Sequence, residues 1–475
     1  MNKTSKIHMS TEEFRKAGYK AIDWIADYYD HIENYPVFPQ VQPGEIRSKL
    51  PKEPPQKGKK YEDILQDMNT MMPGITHWQS PNFHAFFPCA TSGPAILGDL
   101  ISTGLGINGM NWVTSPSATE LESHVLDWLV DMMELPNKFK SKSSGGGVLQ
   151  DTASSSSLVA LIAAREKASK GEKNKNGYNG KLTVYTSSQA HSSIEKAVKI
   201  AGIGKNNLRL VDVDDSFAMD TNHLEKLILN DIDNGLQPAY VCATIGTTSS
   251  TAVDPVEQIG SICKKFGIWL HVDAAMAGPA ALCPEYRFIN NGLDYADSYT
   301  FNPHKWMLTN FDCSVLYIQN RDDLIQTLSI MPEYLRNDAT ESSEVIDYRD
   351  WQIPLGRRFR SLKLWMVIRS YGVDGIKKII REHIKMTREL TDIIKKDTNY
   401  SILREPDLNL ICIRHRDGSA RTKEILRQAN ATGKMLVTHT VVEGQYYIRI
   451  CIGQEHTTRS DVTSAWKILE ELGKD

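Results

Sequence analysis

The sequence lacks a strong excess of either charge: 55 Lys and Arg oppose 58 Asp and Glu, a net charge of −3 over 475 residues. That balance gives no electrostatic basis for binding nucleic acid or an acidic membrane. Long apolar runs are also absent, since stretches such as residues 158–164 are far shorter than a bilayer span. Residues 1–13 lack the apolar core of a signal peptide. We therefore expect a cytoplasmic protein with neither a nucleic-acid partner nor a membrane partner.

The sequence is also poor in paired cysteines. The seven cysteines form an odd set without closely spaced pairs. Most lie in apolar segments typical of strands or helices. This pattern predicts buried, reduced thiols, and neither a disulfide framework nor a metal site.

The composition is that of a folded protein, with 41% apolar and 24% charged residues, and the length allows two or three structural units. Residues 1–85 look helical and then rich in proline, and Ser10 with Glu13 forms a capping box before the first helix. Residues 86–375 have the sequence pattern of an α/β domain, and residues 376–475 have that of a smaller α+β domain. The lysine-rich stretch 167–175 is interpreted as a solvated loop.

The middle region alternates apolar, β-branched runs with helical or loop segments, which predicts a mostly parallel sheet buried on both faces. In such sheets ligands bind at the carboxyl ends of the strands. The predicted strands are residues 182–186, 208–211, 240–245, 268–272, 298–301 and 314–318.

Two residues follow predicted strands at that edge. Lys305 comes just after residues 298–301; it is either a surface lysine or a lysine whose amine forms a Schiff base with a carbonyl ligand. Asp273 ends the strand that begins near residue 268. It is either a helix N-cap or the carboxylate that keeps a pyridine nitrogen protonated.

Two further segments carry candidate chemistry. Residues 145–154 resemble a glycine-rich turn before a helix at 155–165, which is either a simple cap or a seat for a phosphate group. His191 follows the strand at 182–186 and is either structural or stacked on an aromatic cofactor ring. Each of these signals is modest alone. Their order along the chain makes the combination specific: first the phosphate site, then the histidine, then the aspartate at a strand end, and last the His-Lys pair at a strand end.

With these residues the sequence resembles the pyridoxal phosphate-dependent group II decarboxylases, and within them the aromatic-L-amino-acid decarboxylases. The resemblance covers nearly the whole chain. It rests on HWQSP at 77–81, SPSATELE at 115–122, NPHKW at 302–306, NFDC at 310–313 and DYRDWQIPLGRRFRSLK at 347–363.

The resemblance implies PLP fold type I, the aspartate aminotransferase-like α/β fold. Its parts are a large domain with a mostly parallel seven-stranded sheet, a small C-terminal α+β domain and an N-terminal helical arm that clasps a second subunit. It also implies pyridoxal 5′-phosphate as cofactor, with these contacts: Lys305 as the cofactor lysine, Asp273 beside the pyridine nitrogen, His191 on the ring, Thr248 near it, and Thr152, Ala153, Ser154 and Asn302 on the phosphate.

The implied reaction is loss of carbon dioxide from an aromatic L-amino acid, followed by protonation at Cα. His304 matches the histidine beside the substrate, and Tyr334 matches the proton donor on a loop, although by itself it reads as an ordinary loop tyrosine. In related aldehyde synthases a phenylalanine replaces that tyrosine. Tyr334 therefore favours an amine product.

The implied substrate pocket includes Trp78, Phe86, Phe87 and Pro88, whose alternative role is in the core. Asn108 and Met110 would enter from the neighbouring subunit of a homodimer. Gly356 leaves room for a bicyclic ring and favours tryptophan, with tryptamine as product, over phenylalanine, tyrosine or dihydroxyphenylalanine.

Three residues depart from the family pattern. Met276 replaces a tyrosine, Met110 replaces a pocket phenylalanine, and Asp151 replaces a glycine just before the phosphate seat. A carboxylate at Asp151 would repel the phosphate unless it points away.

Three hypotheses compete with the hypothesis that the protein is an amine-forming decarboxylase of aromatic substrates. The first is an aromatic acetaldehyde synthase on the same scaffold, against which Tyr334 argues. The second is a non-catalytic binding protein on a degenerate scaffold, against which the Lys305, Asp273 and His191 set argues. The third is a decarboxylase of glutamate or histidine.

Overall fold

The structure is a computed structural model that describes residues 8–178, 180–330 and 345–474. Its α-helices, in chain order, are α1 Thr11–Asp30, α2 Glu45–Lys49, α3 Tyr61–Met71, α4 Gly93–Leu105, α5 Pro116–Met133, α6 Ala153–Ser169, α7 Glu172–Asn176, α8 Ser193–Ile200, α9 Thr221–Asp233, α10 Val256–Phe266, α11 Pro303–Trp306, α12 Arg321–Leu328, α13 Arg360–Ile394, α14 Ser419–Ala431 and α15 Arg459–Lys474. Its strands are β1 Gly146–Gln150, β2 Leu182–Ser187, β3 Leu208–Val211, β4 Gln237–Thr244, β5 Trp269–Asp273, β6 Ser298–Phe301, β7 Ser314–Ile318, β8 Tyr400–Ile402, β9 Leu410–His415, β10 Thr438–Val442 and β11 Gln445–Cys451.

The large sheet has seven strands in the order β1-β7-β6-β5-β4-β2-β3. β7 runs antiparallel to both of its neighbours, while the other adjacent pairs are parallel. β1, β2, β5, β6 and β7 are buried along their full length, because helices cover both faces of the sheet. The predicted mostly parallel, seven-stranded α/β fold is confirmed.

A second, antiparallel sheet has the order β10-β11-β9-β8 and shares a separate apolar core with parts of α13, α14 and α15. The helical backbone of α13 is interrupted at Gly372, whose φ of 64° is in the left-handed region that favours glycine. The predicted domain boundaries at 85/86 and 375/376 stay predictions.

The N-terminal helix begins as the sequence predicts. Ser10 caps α1, and Glu13 completes the capping box by accepting from the backbone N–H of Ser10. Phe14 and Tyr19 on α1 are 63% and 65% exposed. Apolar side chains on α4, among them Leu100 and Leu105, are also more than one-third exposed. Exposed apolar faces of this kind are typical of surfaces that meet another chain.

Two local predictions are wrong. Residues 146–150 form a buried strand, not a turn. The glycines mark close packing here and not a turn, since a Cβ at Gly147 would lie 2.7 Å from the Tyr317 ring. The lysine-rich stretch 167–175 is also mostly helical: it falls at the end of α6 and within α7, with a break at Lys170 and Gly171.

The thiols match the prediction: all seven cysteines are free, six of them are buried, and Cys89 is partly exposed. Within residues 8–178, 180–330 and 345–474, no helix combines the length and the apolar character that crossing a membrane requires.

Candidate active site

The carboxyl ends of β4, β5 and β6 meet at one edge of the large sheet. The strand register pairs Thr244 with Asp273, and Asp273 with Thr300, so that these residues form one row. Asp273 is only 5% exposed, and its Oδ1 accepts a 2.9 Å hydrogen bond from the backbone N–H of Ala275. Directly after β6, Asn302 leads into α11, which carries Lys305.

A cavity of about 230 Å³ opens at this edge. Its lining brings together all eight residues that the resemblance assigns to the cofactor, together with His304 and Phe87. The full lining is Phe87, Thr152, Ala153, Ser154, His191, Ser193, Thr244, Gly246, Thr248, Asp273, Ala275, Met276, Asn302, His304, Lys305 and Phe311.

Lys305 places its amine in this cavity. Burial lowers the pKa of the amine, while the nearby carboxylate of Asp273 raises it in part. The Nζ atom lies 5.1 Å from the centre of the Phe87 ring. A lowered pKa increases the fraction of neutral amine, which is the form that attacks a carbonyl carbon.

His191 is held by the start of α8. The backbone N–H of Ser193 donates to Nδ1 at 3.2 Å, so Nδ1 is an acceptor and the proton of the neutral ring lies on Nε2. Partial withdrawal from water lowers the pKa of His191, with Asp273 acting in the opposite direction. The cavity is therefore lined by a neutral, flat imidazole.

Two buried oxygens at the cavity have no hydrogen-bond partner among the described residues: Oδ1 of Asn302 and Oγ1 of Thr244. Unpaired polar atoms in a buried site cost free energy and are typical of positions that a bound group satisfies. The amino end of α6 adds N–H groups and a favourable dipole for an anion. An amine, a carboxylate, an imidazole and an anion seat fit pyridoxal phosphate.

A tight loop after β4 presents Thr248 to the cavity. Gly246 has a φ of 80°, and a Cβ there would lie 2.6 Å from that of Ala277, so the loop requires glycine. The backbone oxygen of Thr248 accepts a 3.0 Å hydrogen bond from Nε of Arg449, on β11 of the small sheet. The small sheet thus supports one wall of the cavity.

The comparisons with known proteins agree with this geometry. Residues 43–416 match the family model described as the pyridoxal-dependent decarboxylase conserved domain. This chain belongs to that family. It is similar to the phenylacetaldehyde synthase of Arabidopsis thaliana, with 46% identity over 98% of this chain and 96% of the relative. It is also similar to tyrosine decarboxylase 2 of Narcissus pseudonarcissus, with 45% identity over 98% and 94%.

A solved structure extends the similarity to the whole fold. Catharanthus roseus tryptophan decarboxylase, in complex with L-tryptophan, superposes with a TM-score of 0.93 at 40% identity, covering 98% of this chain and 99% of the other. This decarboxylase is thus a pyridoxal phosphate-dependent carboxy-lyase with fold type I, as the sequence predicted.

Three of the predicted substrate residues, Trp78, Phe86 and Pro88, are held by contacts outside the lining of the cavity. Trp78 stacks on Phe86 with ring centres 5.5 Å apart, and both are partly exposed rather than core. The Phe86 N–H donates to Thr438 at 3.1 Å. Pro88 packs against Gly453, where a Cβ would lie 2.6 Å from the proline ring. None of the three contributes to the lining of the described cavity.

Of the other predicted substrate residues, Phe87 lines the cavity, whereas Asn108, Met110 and Gly356 form a separate cluster in the decarboxylase. Asn108 accepts from the Arg357 N–H at 2.9 Å, and the Met110 carbonyl accepts from the Arg349 N–H at 2.8 Å. A Cβ at Gly356 would contact only the Asn108 amide, at 3.6 and 3.9 Å. This cluster does not line the cavity of its own chain. Tyr334 lies outside the described residues.

Six lining residues were not predicted as site residues: Ser193, Thr244, Gly246, Ala275, Met276 and Phe311. Thr244 had a signal, because it stands near the end of a predicted strand that neighbours the strand of Asp273. Gly246, Ala275 and Phe311 lie in loops, whereas Ser193 is the first residue of α8. Of the departures from the family pattern, Met276 lines the cavity while only 1% exposed. The Oδ1 atom of Asp151 accepts a hydrogen bond from the backbone N–H of its neighbour Thr152.

Proposed function

We propose that this decarboxylase converts an aromatic L-amino acid into the arylalkylamine and carbon dioxide, with tryptophan favoured over phenylalanine, tyrosine and dihydroxyphenylalanine. The observation that carries the proposal is the convergence of Lys305, Asp273 and His191 on one cavity. The aromatic substrate class is supported by the similarity to tyrosine and tryptophan decarboxylases.

The proposed cofactor contacts are supported by the presence of all these residues in the lining of one cavity. Lys305 would hold the cofactor aldehyde, and Asp273 would hold a proton on the ring nitrogen. His191 and Thr248 would contact the ring, and the phosphate would lie against a set of polar groups at the start of α6 and after β6: Thr152, Ala153, Ser154 and Asn302. When bound, pyridoxal phosphate supplies an electron-poor ring that accepts the electrons of the broken Cα–carboxylate bond.

His304 would contact the substrate. Burial lowers its pKa to about 3, helped by the neighbouring Lys305. The ring is therefore neutral at physiological pH and offers a hydrogen-bond donor without a charge. An uncharged donor can orient a substrate carboxylate without stabilising it so strongly that loss of carbon dioxide is slowed.

Tyr334 would protonate Cα after carbon dioxide leaves. An aldehyde synthase on the same scaffold is the second candidate, because the phenylacetaldehyde synthase is 46% identical to this chain. The two activities differ in whether Cα receives a proton or oxygen consumes the electrons. The presence of a tyrosine at 334 favours amine formation.

The active site would be completed by a second subunit. The cluster of Asn108, Met110 and Gly356 lies off the cavity of its own chain, which fits a role in the neighbouring site of a homodimer. The exposed apolar side chains on α1 and α4 supply the surface for such a contact.

The direct test uses purified protein with pyridoxal phosphate and each aromatic amino acid, quantifying amine and carbon dioxide. Lys305→Ala is expected to abolish turnover and the visible absorbance of lysine-bound cofactor. Lys205→Ala is the matched control, because that side chain lies on the surface, 66% exposed. Full activity of Lys305→Ala would contradict the assignment. Wild-type protein that binds no cofactor and forms no product would favour a non-catalytic binding protein.

A further inference from the structure

Asp151 occupies hydrogen-bond donors that a phosphate would need. Its Oδ1 accepts from the backbone N–H of Thr152 at 2.6 Å and faces the Thr152 hydroxyl at 3.4 Å. Thr152 is the N-cap of α6, and its own side chain makes no capping hydrogen bond. The aspartate therefore places a negative charge at the start of a 17-residue helix, where the helix dipole attracts anions.

The same place is the proposed phosphate seat. Thr152, Ala153 and Ser154 line the cavity together with Asn302, which is 2% exposed with its Oδ1 unpaired. The unpaired amide side chain is an observation independent of the helix end: its oxygen needs a donor from a bound molecule, and its Nδ2 group is a donor that can face an anion. The carboxylate and a phosphate would compete for the Thr152 N–H, and their like charges repel each other.

We propose that Asp151 is an internal competitor for the cofactor phosphate and sets the affinity of this decarboxylase for pyridoxal phosphate. Binding requires the carboxylate to leave the Thr152 N–H, so part of the binding free energy of the phosphate is lost. Occupancy of the enzyme then depends on the free cofactor concentration. This inference rests on the proposed placement of the cofactor.

The test measures the affinity of cofactor-free, full-length protein for two ligands, pyridoxal phosphate and pyridoxal, by absorbance and tryptophan fluorescence. Pyridoxal shares every group except the phosphate. Asp151→Gly and Asp151→Asn are expected to bind pyridoxal phosphate roughly ten- to a hundredfold more tightly than wild type, the range of a hydrogen bond to a charged group. Asn is expected at the lower end, because its amide oxygen still accepts from Thr152. The affinity for pyridoxal is expected to stay unchanged.

A thermal measurement separates competition from a merely structural role. Without cofactor, Asp151→Gly is expected to melt at a lower temperature, because α6 loses a favourable charge. Saturating pyridoxal phosphate is expected to raise its melting temperature more than that of wild type. The control is Asp220→Asn, since Asp220 caps α9 away from the cavity through the N–H groups of Asn222 and His223. It is expected to change neither ligand's affinity.

Equal affinity of wild type and both Asp151 variants for pyridoxal phosphate, with pyridoxal weaker throughout, would overturn the competition while leaving the phosphate seat in place. Equal affinity for pyridoxal phosphate and pyridoxal in every variant would show that no phosphate is bound at Thr152. That result would overturn the proposed cofactor placement as well.

Discussion

The Nδ1 atom of His304 accepts a 2.9 Å hydrogen bond from the backbone N–H of Cys313, at the start of the chain that enters β7. That donor fixes the neutral tautomer with its proton on Nε2. It also orients the ring, which lies edge-on to Phe311 at a centroid distance of 4.8 Å. The histidine next to Lys305 is therefore held by the backbone segment that directly precedes β7.

From this arrangement we expect His304→Leu to lower kcat roughly a hundredfold, the usual scale for a lost positioned donor, with little change in cofactor affinity. Because its pKa is about 3 in the wild type, His304 contributes no ionisation to the kcat profile between pH 5 and 8. The profiles of wild type and variant are thus expected to have the same shape. An unchanged kcat, or an inflection that the variant loses, would contradict this role.

We expect His383 to make the stability of the fold depend on pH at acidic values. This residue contacts Trp306 of α11, the helix that carries Lys305. The Trp306 indole N–H donates to its Nδ1 at 3.0 Å, and Nε2 bonds to the Gln454 carbonyl. Burial lowers the pKa of His383 to about 4. Between about pH 6.5 and 4 the histidine is therefore protonated in the unfolded chain and neutral in the folded protein. The free energy of unfolding decreases as the pH is lowered through this range.

His383→Gln removes that proton uptake. We expect the slope of unfolding free energy against pH, measured by denaturant titration between pH 6 and 4.5, to become shallower by about 1.4 kcal/mol per pH unit. A slope equal to that of wild type would show that His383 is protonated in the folded state.

The role of Tyr334 predicts a switch of product. Tyr334→Phe is expected to release mostly aldehyde, ammonia and peroxide, because Cα no longer receives its proton from the phenol and oxygen consumes the electrons. The assay quantifies amine, aldehyde and peroxide from the same reaction. Tyr446→Phe, on β11 of the small sheet, serves as the control. Undiminished amine output from Tyr334→Phe would refute the protonation role.

Substrate preference is expected to depend on Gly356. A serine there meets only the Asn108 amide at ordinary contact distances, so the fold tolerates the change. Gly356→Ser is expected to lower the ratio of kcat/KM for tryptophan to that for tyrosine roughly tenfold, because the hydroxymethyl group takes space from a bicyclic ring. Gly58→Ser, in open space, is the control. An unchanged ratio would remove the argument for tryptophan.

Much of the sheet and of the cofactor site could be predicted from the sequence, because strand ends are visible as apolar runs that stop at polar residues. Asp273 and Lys305 were found in this way, and strands β3, β6 and β7 begin and end where predicted. Gly146 and Gly147 misled the prediction, since glycine marks both turns and close packing. Only the position of Tyr317 and Trp351 against them decides between the two.

The substrate pocket was predicted less completely for a physical reason. Phe311 reaches the cavity from a loop, whose course depends on tertiary contacts that no local periodicity encodes, and Ser193 reaches it as the first residue of α8. Asn108 and Gly356 lie together through the Arg357 N–H bond, a contact across 249 residues of sequence. Only the resemblance linked those two residues before the structure did.

The most direct test of amine formation from tryptophan is one competition assay with pyridoxal phosphate and equal amounts of tryptophan, tyrosine, phenylalanine and dihydroxyphenylalanine. Mass spectrometry quantifies every amine and aldehyde, and peroxide is measured in parallel. We expect amine without peroxide, with tryptamine the main product. Aldehyde with stoichiometric peroxide would contradict this expectation and identify the protein as an aldehyde synthase.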